Sequence, residues 1–222
     1  MKVLKHKNCV NSIAFHPCPD DKSMVSGSDD HSVVLWHTET GQKLQTMTFD
    51  HPIMSVVWHG EEVSKILVCT FLKRFFFKSS YILSSTFQIA EKSGVIHIFN
   101  IASYKPILSL HCGVEPLLTA DWSMCNSLLI VAAVRSEIIA FDSSKMTVVC
   151  KKKLPQDIIK SVKFSPFSDT LIATASQPTN DSDVSVTNLK SQQSVSILSK
   201  DPVSAISWFK KGSAVLVRKK AL

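Results

Sequence analysis

Residues 26–36 decide the fold, and they read Ser-Gly-Ser-Asp-Asp-His-Ser-Val-Val-Leu-Trp. The pattern predicts one strand that ends at Ser28, a tight acidic turn, and a second strand that closes on Trp36. Asp30 lies six positions before Trp36, and Ser26 lies four positions before Asp30. Polar groups buried at such positions need hydrogen-bond partners, because an unsatisfied group costs about 1–3 kcal/mol.

This spacing resembles a blade of the WD40 family, a four-stranded sheet of a β-propeller. In such a blade a turn Asp, a strand Ser or Thr, an upstream His and the strand Trp share buried hydrogen bonds. The resemblance therefore implies a structural tetrad of His6, Ser26, Asp30 and Trp36. The chain departs from the family at residue 37, because it has His37 after Trp36 where the family usually has an Asp.

Aromatic residues that end the first strand of each unit recur along the chain, and we call them the ruler residues: Phe15, Trp58, Trp122, Phe164 and Trp208. Their steps are 43, 64, 42 and 44 residues. Apart from one step, these values match the WD40 period of about 40–45 residues. We predict an all-β chain, an incomplete WD40 β-propeller with about four full blades and part of a fifth. The units cover residues 5–48, 49–110, 111–150, 151–198 and 199–217.

The long step contains an anomalous insert, residues 69–89, whose 21 residues account for the excess over 43. It holds five of the twelve phenylalanines and no Asp, Glu, Gly, Pro or Ala. Three interpretations stay open: a long loop, a basic and aromatic membrane anchor, or a translated intron. We favour the intron, because the residues suit A/T-rich codons and Thr-Phe-Gln can encode a splice acceptor. A transcript that retains the segment at normal abundance would refute it.

The net charge of +7 does not belong to the repeats. Three cations lie in the insert and three more lie in the last five residues, which leaves +1 for the rest of the chain. We therefore expect no direct binding of nucleic acid. The longest apolar run, residues 128–134, is too short for a membrane helix, so we also expect no membrane insertion. Six cysteines without a CxxC pair are typical of reduced, buried thiols.

The sequence offers little for an enzyme. Asp29, Asp30 and His31 could form an acid–base cluster, but the tetrad explains their spacing better. We expect no metal and no cofactor, because the histidines lack metal-ligand spacing and no Gly-rich phosphate loop is present. Residues 151–153 are three lysines, which we interpret as a solvated loop between blades, with a site for an acidic partner as the alternative. Arg135 stands where the third unit would have its turn Asp, and it is our candidate partner-binding residue.

Several stretches, taken in succession, resemble the thirty-seven-kilodalton WD-repeat nucleoporin family. They are residues 28–36, 51–59, 67–68 joined to 90–96, 107–110, 120–122 and 204–208. The resemblance covers residues 3–216 without the insert, which that family lacks between residues 68 and 90.

The family resemblance implies a role in the outer-ring, Y-shaped scaffold complex of the nuclear pore. Its members are seven-bladed propellers that bind the largest arm nucleoporin, and vertebrate members also reach kinetochores in mitosis. By this resemblance the chain would lack the first two blades and the final strands of the last. Residues 218–222 depart from the family pattern.

A generic WD40 adaptor, such as a substrate receptor of a ubiquitin ligase, is the alternative function. Its usual mark is an Arg two residues after Trp-Asp. The matching positions here hold Thr38-Glu39 and Ser143-Ser144, which disfavours this interpretation.

Overall fold

Short strands with β-branched residues fill the chain, as the sequence pattern predicts. The computed structural model describes residues 5–59, 65–70, 95–100, 103, 105–111, 117–126, 128–145, 147–156, 158–177, 182–199, 203–209 and 215–219. Within these residues every regular element is a β-strand. The strands are β1 (Val10–Phe15), β2 (Ser23–Ser28), β3 (Ser32–His37), β4 (Gln42–Thr48), β5 (Ile53–Trp58), β6 (Lys65–Thr70), β7 (Val95–Asn100), β8 (Lys105–His111), β9 (Leu117–Trp122), β10 (Leu129–Val134), β11 (Glu137–Asp142), β12 (Thr147–Lys153), β13 (Ile158–Phe164), β14 (Leu171–Gln177), β15 (Ser182–Asn188), β16 (Ser194–Ser199), β17 (Val203–Trp208) and β18 (Val215–Lys219).

The strands form consecutive antiparallel sheets. Four sheets have four strands each, β1–β4, β5–β8, β9–β12 and β13–β16, and a fifth consists of β17 and β18. The first strands of neighbouring sheets contact one another in chain order, from β1 to β17. This is the arrangement of successive propeller blades, so the predicted partial WD40 β-propeller is confirmed.

Each of the five first strands carries a β-bulge at the same place, four residues before its ruler residue. The residues skipped by the pairing are Asn11, Met54, Leu118, Lys160 and Ser204. A bulge bends a strand and increases its twist. The repeat is therefore regular in its backbone geometry even where the side chains have diverged.

The hydrophobic core lies between consecutive sheets. Val25 and Val33 of the first sheet, for example, pack with Ile53 and Ile66 of the second. Gly27 on β2 permits this approach, because a Cβ atom there would lie 2.5 Å from Cγ2 of Ile53. Face-to-face burial of this kind holds one blade on the next.

Two sequence-based expectations about strand ends need correction. The three lysines 151–153 are not a loop between blades, because they form the end of β12 and pair with β11. The predicted insert starts too early, because Cys69 and Thr70 end β6 and pair with Ile96 and Val95. The remainder of the insert lies outside the described residues.

Candidate functional site

The acidic turn of residues 29–31 is closed by hydrogen bonds from its own side chains. The Asp30 backbone N–H donates to Ser28 Oγ at 3.1 Å, and the Ser32 backbone N–H donates to Asp30 Oδ1 at 3.0 Å. His31 has φ 65°, in the left-handed region that tight turns require. These local contacts orient Asp30 Oδ2 toward the segment before β1, where it meets His6 and Lys7.

His6, Ser26, Asp30 and Trp36 are joined in one chain of hydrogen bonds. Trp36 Nε1 donates to Ser26 Oγ at 2.7 Å, and Ser26 Oγ lies 2.6 Å from His6 Nε2. His6 Nδ1 lies 2.9 Å from Asp30 Oδ2. Because Ser26 Oγ accepts a hydrogen bond from the indole N–H, its own hydroxyl donates to His6 Nε2. The Nδ1–H group of the imidazole then donates to Asp30. Every polar atom in this buried chain therefore has a partner.

The Asp30 carboxylate is held in its ionised form. Burial by itself raises the pKa of Asp30. The hydrogen bonds donated by the Ser32 hydroxyl, the Lys7 backbone N–H and His6 outweigh burial, so the pKa lies well below its usual range. The negative charge is thus part of the folded structure at neutral pH.

Ser26, His6 and Asp30 follow the hydrogen-bond order of an acyl-transfer triad, yet they are not arranged for catalysis. A nucleophilic serine must be reachable, and Ser26 is only 3% exposed. Its Oγ already accepts a hydrogen bond from Trp36 Nε1, and the side chain of His6 is also buried. The four residues therefore join the segment before β1 to β2, the turn and β3.

Two ruler residues connect their sheet to the preceding one through a hydrogen bond. Trp58 Nε1 donates to the Ala14 carbonyl at 2.9 Å, and Trp208 Nε1 donates to the Lys163 carbonyl at 3.0 Å. All five ruler residues line one cavity of about 410 Å³. Their regular spacing in the sequence thus reflects a repeated contact between blades.

Asp121 makes a second connection, between the third and fourth sheets. It is 7% exposed, and its Oδ2 accepts the Phe164 backbone N–H at 2.8 Å. Its Oδ1 lies 3.1 Å from Lys163 Nζ. A buried carboxylate is stable here because both oxygens have donors. Sequence reasoning missed this pair, although Asp121 and Lys163 are separated by 42 residues, close to one repeat.

The fourth sheet holds a reduced counterpart of the tetrad. Thr174 on β14 pairs with Val162 on β13, as Ser26 on β2 pairs with Ile13 on β1. Thr174 and Ser26 each lie two residues after the residue that pairs with the ruler residue of their sheet. Thr174 Oγ1 donates to Gln156 Oε1 at 3.0 Å, and both residues are buried. Gln156 precedes β13 as His6 precedes β1. This contact joins two residues, whereas the tetrad of the first sheet joins four.

Arg135 lies in a tighter turn than its sequence position suggests. Arg135 and Ser136 alone connect β10 to β11, because Val134 pairs directly with Glu137. The corresponding turn of the first sheet has three residues, so Arg135 does not occupy the place of Asp30. Its φ is 52°, and its side chain is exposed.

Beside this turn is a groove of about 620 Å³, which we call the Arg135 groove. It lies between the turn and the connection that follows β12. Its charged walls are Arg135, Glu137 and Lys153, and its apolar walls are Val134, Leu154 and Pro155. The Leu154 backbone N–H donates to the Ser136 carbonyl at 2.8 Å, which ties the two sides together.

No group of three or more His, Cys, Asp or Glu side chains that could hold a metal occurs in the described part of the chain. Cys9, Cys18, Cys125 and Cys150 are free thiols, and three of them are exposed, contrary to the expectation of burial. Among the residues with assigned structure, no helix is long and apolar enough to cross a membrane.

Known proteins support the resemblance. Residues 1–37 match the family model described as WD domain, G-beta repeat. The chain is 28% identical over 210 residues to Nucleoporin Nup37 of Mus musculus, which covers 93% of this chain and 57% of that protein. It is 27% identical over 179 residues to Nucleoporin Nup37 of Homo sapiens, covering 80% of this chain and 48% of that protein.

A shorter match is to a protein that is not named as a nucleoporin. Over 72 residues the chain is 38% identical to the meiosis-specific APC/C activator protein AMA1 of Saccharomyces cerevisiae, covering 31% of this chain and 12% of that protein. The chain spans about half the length of the nucleoporins that it matches. The predicted similarity to WD-repeat nucleoporins is confirmed by the longer matches.

Proposed function

We propose that this Nup37-like WD-repeat chain is a non-enzymatic structural scaffold of the nuclear pore outer ring, in the Y-shaped complex. In this role it supports pore assembly and the transport of mRNA and protein. The observation that carries the proposal is the similarity to a nucleoporin over 93% of the chain. The geometry agrees, because the buried polar residues of the first sheet bond to one another and leave Ser26 inaccessible.

The partners in this proposal are other outer-ring nucleoporins, chiefly the largest arm nucleoporin, as the family resemblance implies. A scaffold binds through broad surfaces, and this chain has apolar side chains on its outer strands. Leu44 on β4, Val148 and Val149 on β12, and Val195 on β16 are all exposed. Unpaired outer strands with apolar residues are suited to contact with another protein.

Affinity purification tests this function most directly. The full-length, spliced protein is tagged at its own locus, purified at near-physiological salt, and analysed by mass spectrometry. We expect outer-ring nucleoporins among the recovered proteins and fluorescence at the nuclear rim. Recovery of ubiquitin-ligase subunits in their place would overturn the proposal. Imaging through mitosis checks separately for the kinetochore localisation that the resemblance implies.

The adaptor function remains the second candidate, because of the 72-residue match to an APC/C activator protein. That match covers 31% of this chain, whereas the nucleoporin matches cover 80–93%. The longer coverage favours the scaffold. The same purification separates the two candidates, since each predicts a different set of co-purified proteins.

A further inference from the structure

We propose that the Arg135 groove binds an acidic segment of a protein partner. The inference rests on the proposed scaffold function, since it names a surface through which such a scaffold would hold another chain.

Cations outnumber acids among the described residues in and beside the groove. Arg135 and Lys153 are exposed cations on its walls, and Glu137 is the acid between them. The Glu137 carboxylate accepts from Lys151 Nζ at 2.8 Å. Among the residues that the structure describes there, Arg135, Lys151 and Lys153 therefore accompany one carboxylate, that of Glu137. A ligand that complements these cations carries negative charge. An Arg guanidinium can bind a carboxylate through two parallel hydrogen bonds.

The strand geometry explains why these lysines gather on one side. Glu137 pairs with Lys153, and Ile138 pairs with Lys152. Because side chains alternate along a strand, Lys151 and Lys153 lie on the same face as Glu137. Lys152 points to the fourth sheet, where it donates to the Gln192 carbonyl and to Ser194 Oγ. The lysine run thus divides into two groove cations and one contact between sheets.

The groove is also fixed before any ligand arrives. The Ile159 backbone N–H on β13 donates to the Arg135 carbonyl at 2.8 Å, and the Leu154 backbone N–H donates to the Ser136 carbonyl, so both residues of the turn are held. Leu154 is 3% exposed and forms a firm apolar wall. A volume of about 620 Å³ fits a short peptide segment. The chain also keeps Arg135 at φ 52°, where glycine is favoured, and backbone strain of this kind concentrates at functional sites.

Fluorescence polarisation with a defined probe tests the proposal. The probe is a fluorescein-labelled octapeptide of alternating Glu and Leu, and a matched octapeptide has Gln in place of Glu. The whole chain should bind the Glu peptide more tightly than the Gln peptide, and the difference should shrink as salt rises. Arg135→Gly should weaken binding about tenfold, the ratio expected when one charge-assisted hydrogen bond is lost. This variant suits the left-handed turn and so keeps the fold.

Lys190→Ala is the matched control, because Lys190 is an exposed cation in the turn between β15 and β16. Its affinity should stay within about twofold of the unmodified chain, as expected for a charge remote from the site. Equal binding of the Gln peptide, no effect of Arg135→Gly, or an equal effect of Lys190→Ala would overturn the proposal. Tighter binding of a uridine-rich oligonucleotide than of the Glu peptide would overturn it in favour of nucleic acid.

Purification of the tagged chain separates this proposal from the function on which it rests. If nuclear pore proteins co-purify with the unmodified chain but the Glu peptide does not bind, only the groove proposal fails. If no nuclear pore protein co-purifies, the scaffold function itself fails.

Discussion

Replacing Ser26 by Ala would remove a single oxygen atom that joins two buried side chains. Ser26 Oγ lies 2.7 Å from Trp36 Nε1 and 2.6 Å from His6 Nε2. In the Ser26→Ala variant both nitrogens lose this partner. Ser26 is 3% exposed and Trp36 is 2% exposed, so bulk water does not reach the site to replace the hydroxyl.

The structure sets the size of the effect. An unsatisfied buried polar group costs about 1–3 kcal/mol, and two are created, so the free energy of unfolding should fall by about 2–6 kcal/mol. Trp36→Phe removes the indole N–H together with part of the ring. In the double variant the unsatisfied indole donor no longer exists. The double variant should therefore cost about 1–2 kcal/mol less than the sum of the single variants.

Urea unfolding followed by circular dichroism measures these differences without relying on tryptophan fluorescence. Thr46→Ala is the control, because Thr46 is exposed on β4. Its effect should be within about 0.5 kcal/mol of zero. If Ser26→Ala costs no more than the control, or if the two single variants add, the hydrogen-bonded tetrad does not stabilise the fold as argued.

Three further predictions follow from charged residues. Because hydrogen bonds hold the pKa of Asp30 below its unfolded value, the stability it contributes is present above about pH 4 and is lost as the pH falls toward the folded pKa. In the Asp30→Asn variant the free energy of unfolding should fall less as the pH is lowered, when urea unfolding is repeated across pH. Asp121→Ala breaks the contact to Lys163 and should cost about 1–3 kcal/mol by urea unfolding, whereas Ala at the exposed Asp20 should cost under about 0.5 kcal/mol. Arg135→Gly should raise the midpoint of thermal unfolding, because it relieves about 1 kcal/mol of left-handed strain; an unchanged or lower midpoint would contradict this.

The sequence predicts the sheets well because the same packing role recurs in each unit. The ruler residues end the first strands in the structure, as expected, and all five line one cavity. The outer strands were harder to recognise. β12 is exposed along most of its length on both faces, so its sequence lacks the alternation of apolar and polar residues that marks a half-buried strand. For this reason the lysines at its end were expected to form a loop.

Contacts between blades escaped the sequence analysis for a different reason. The Asp121–Lys163 pair depends on how neighbouring sheets approach, which strand patterns do not specify. The position of Arg135 was misjudged because counting from the strand end assumes turns of equal length. The turn of Arg135 is one residue shorter than that of Asp30, and only the register of the flanking strands shows this.

Several contacts between the sheets join one unit of the chain to the unit that follows it. The Ala14 carbonyl accepts from Trp58, the Lys163 carbonyl accepts from Trp208, and the Asp121 carboxylate accepts from the Phe164 amide, so each partner lies about one repeat further along the chain. A chain emerging from the ribosome therefore presents each finished edge to the segment that is translated next. Vectorial growth of this kind lets nascent blades dock one at a time, from the amino end onward.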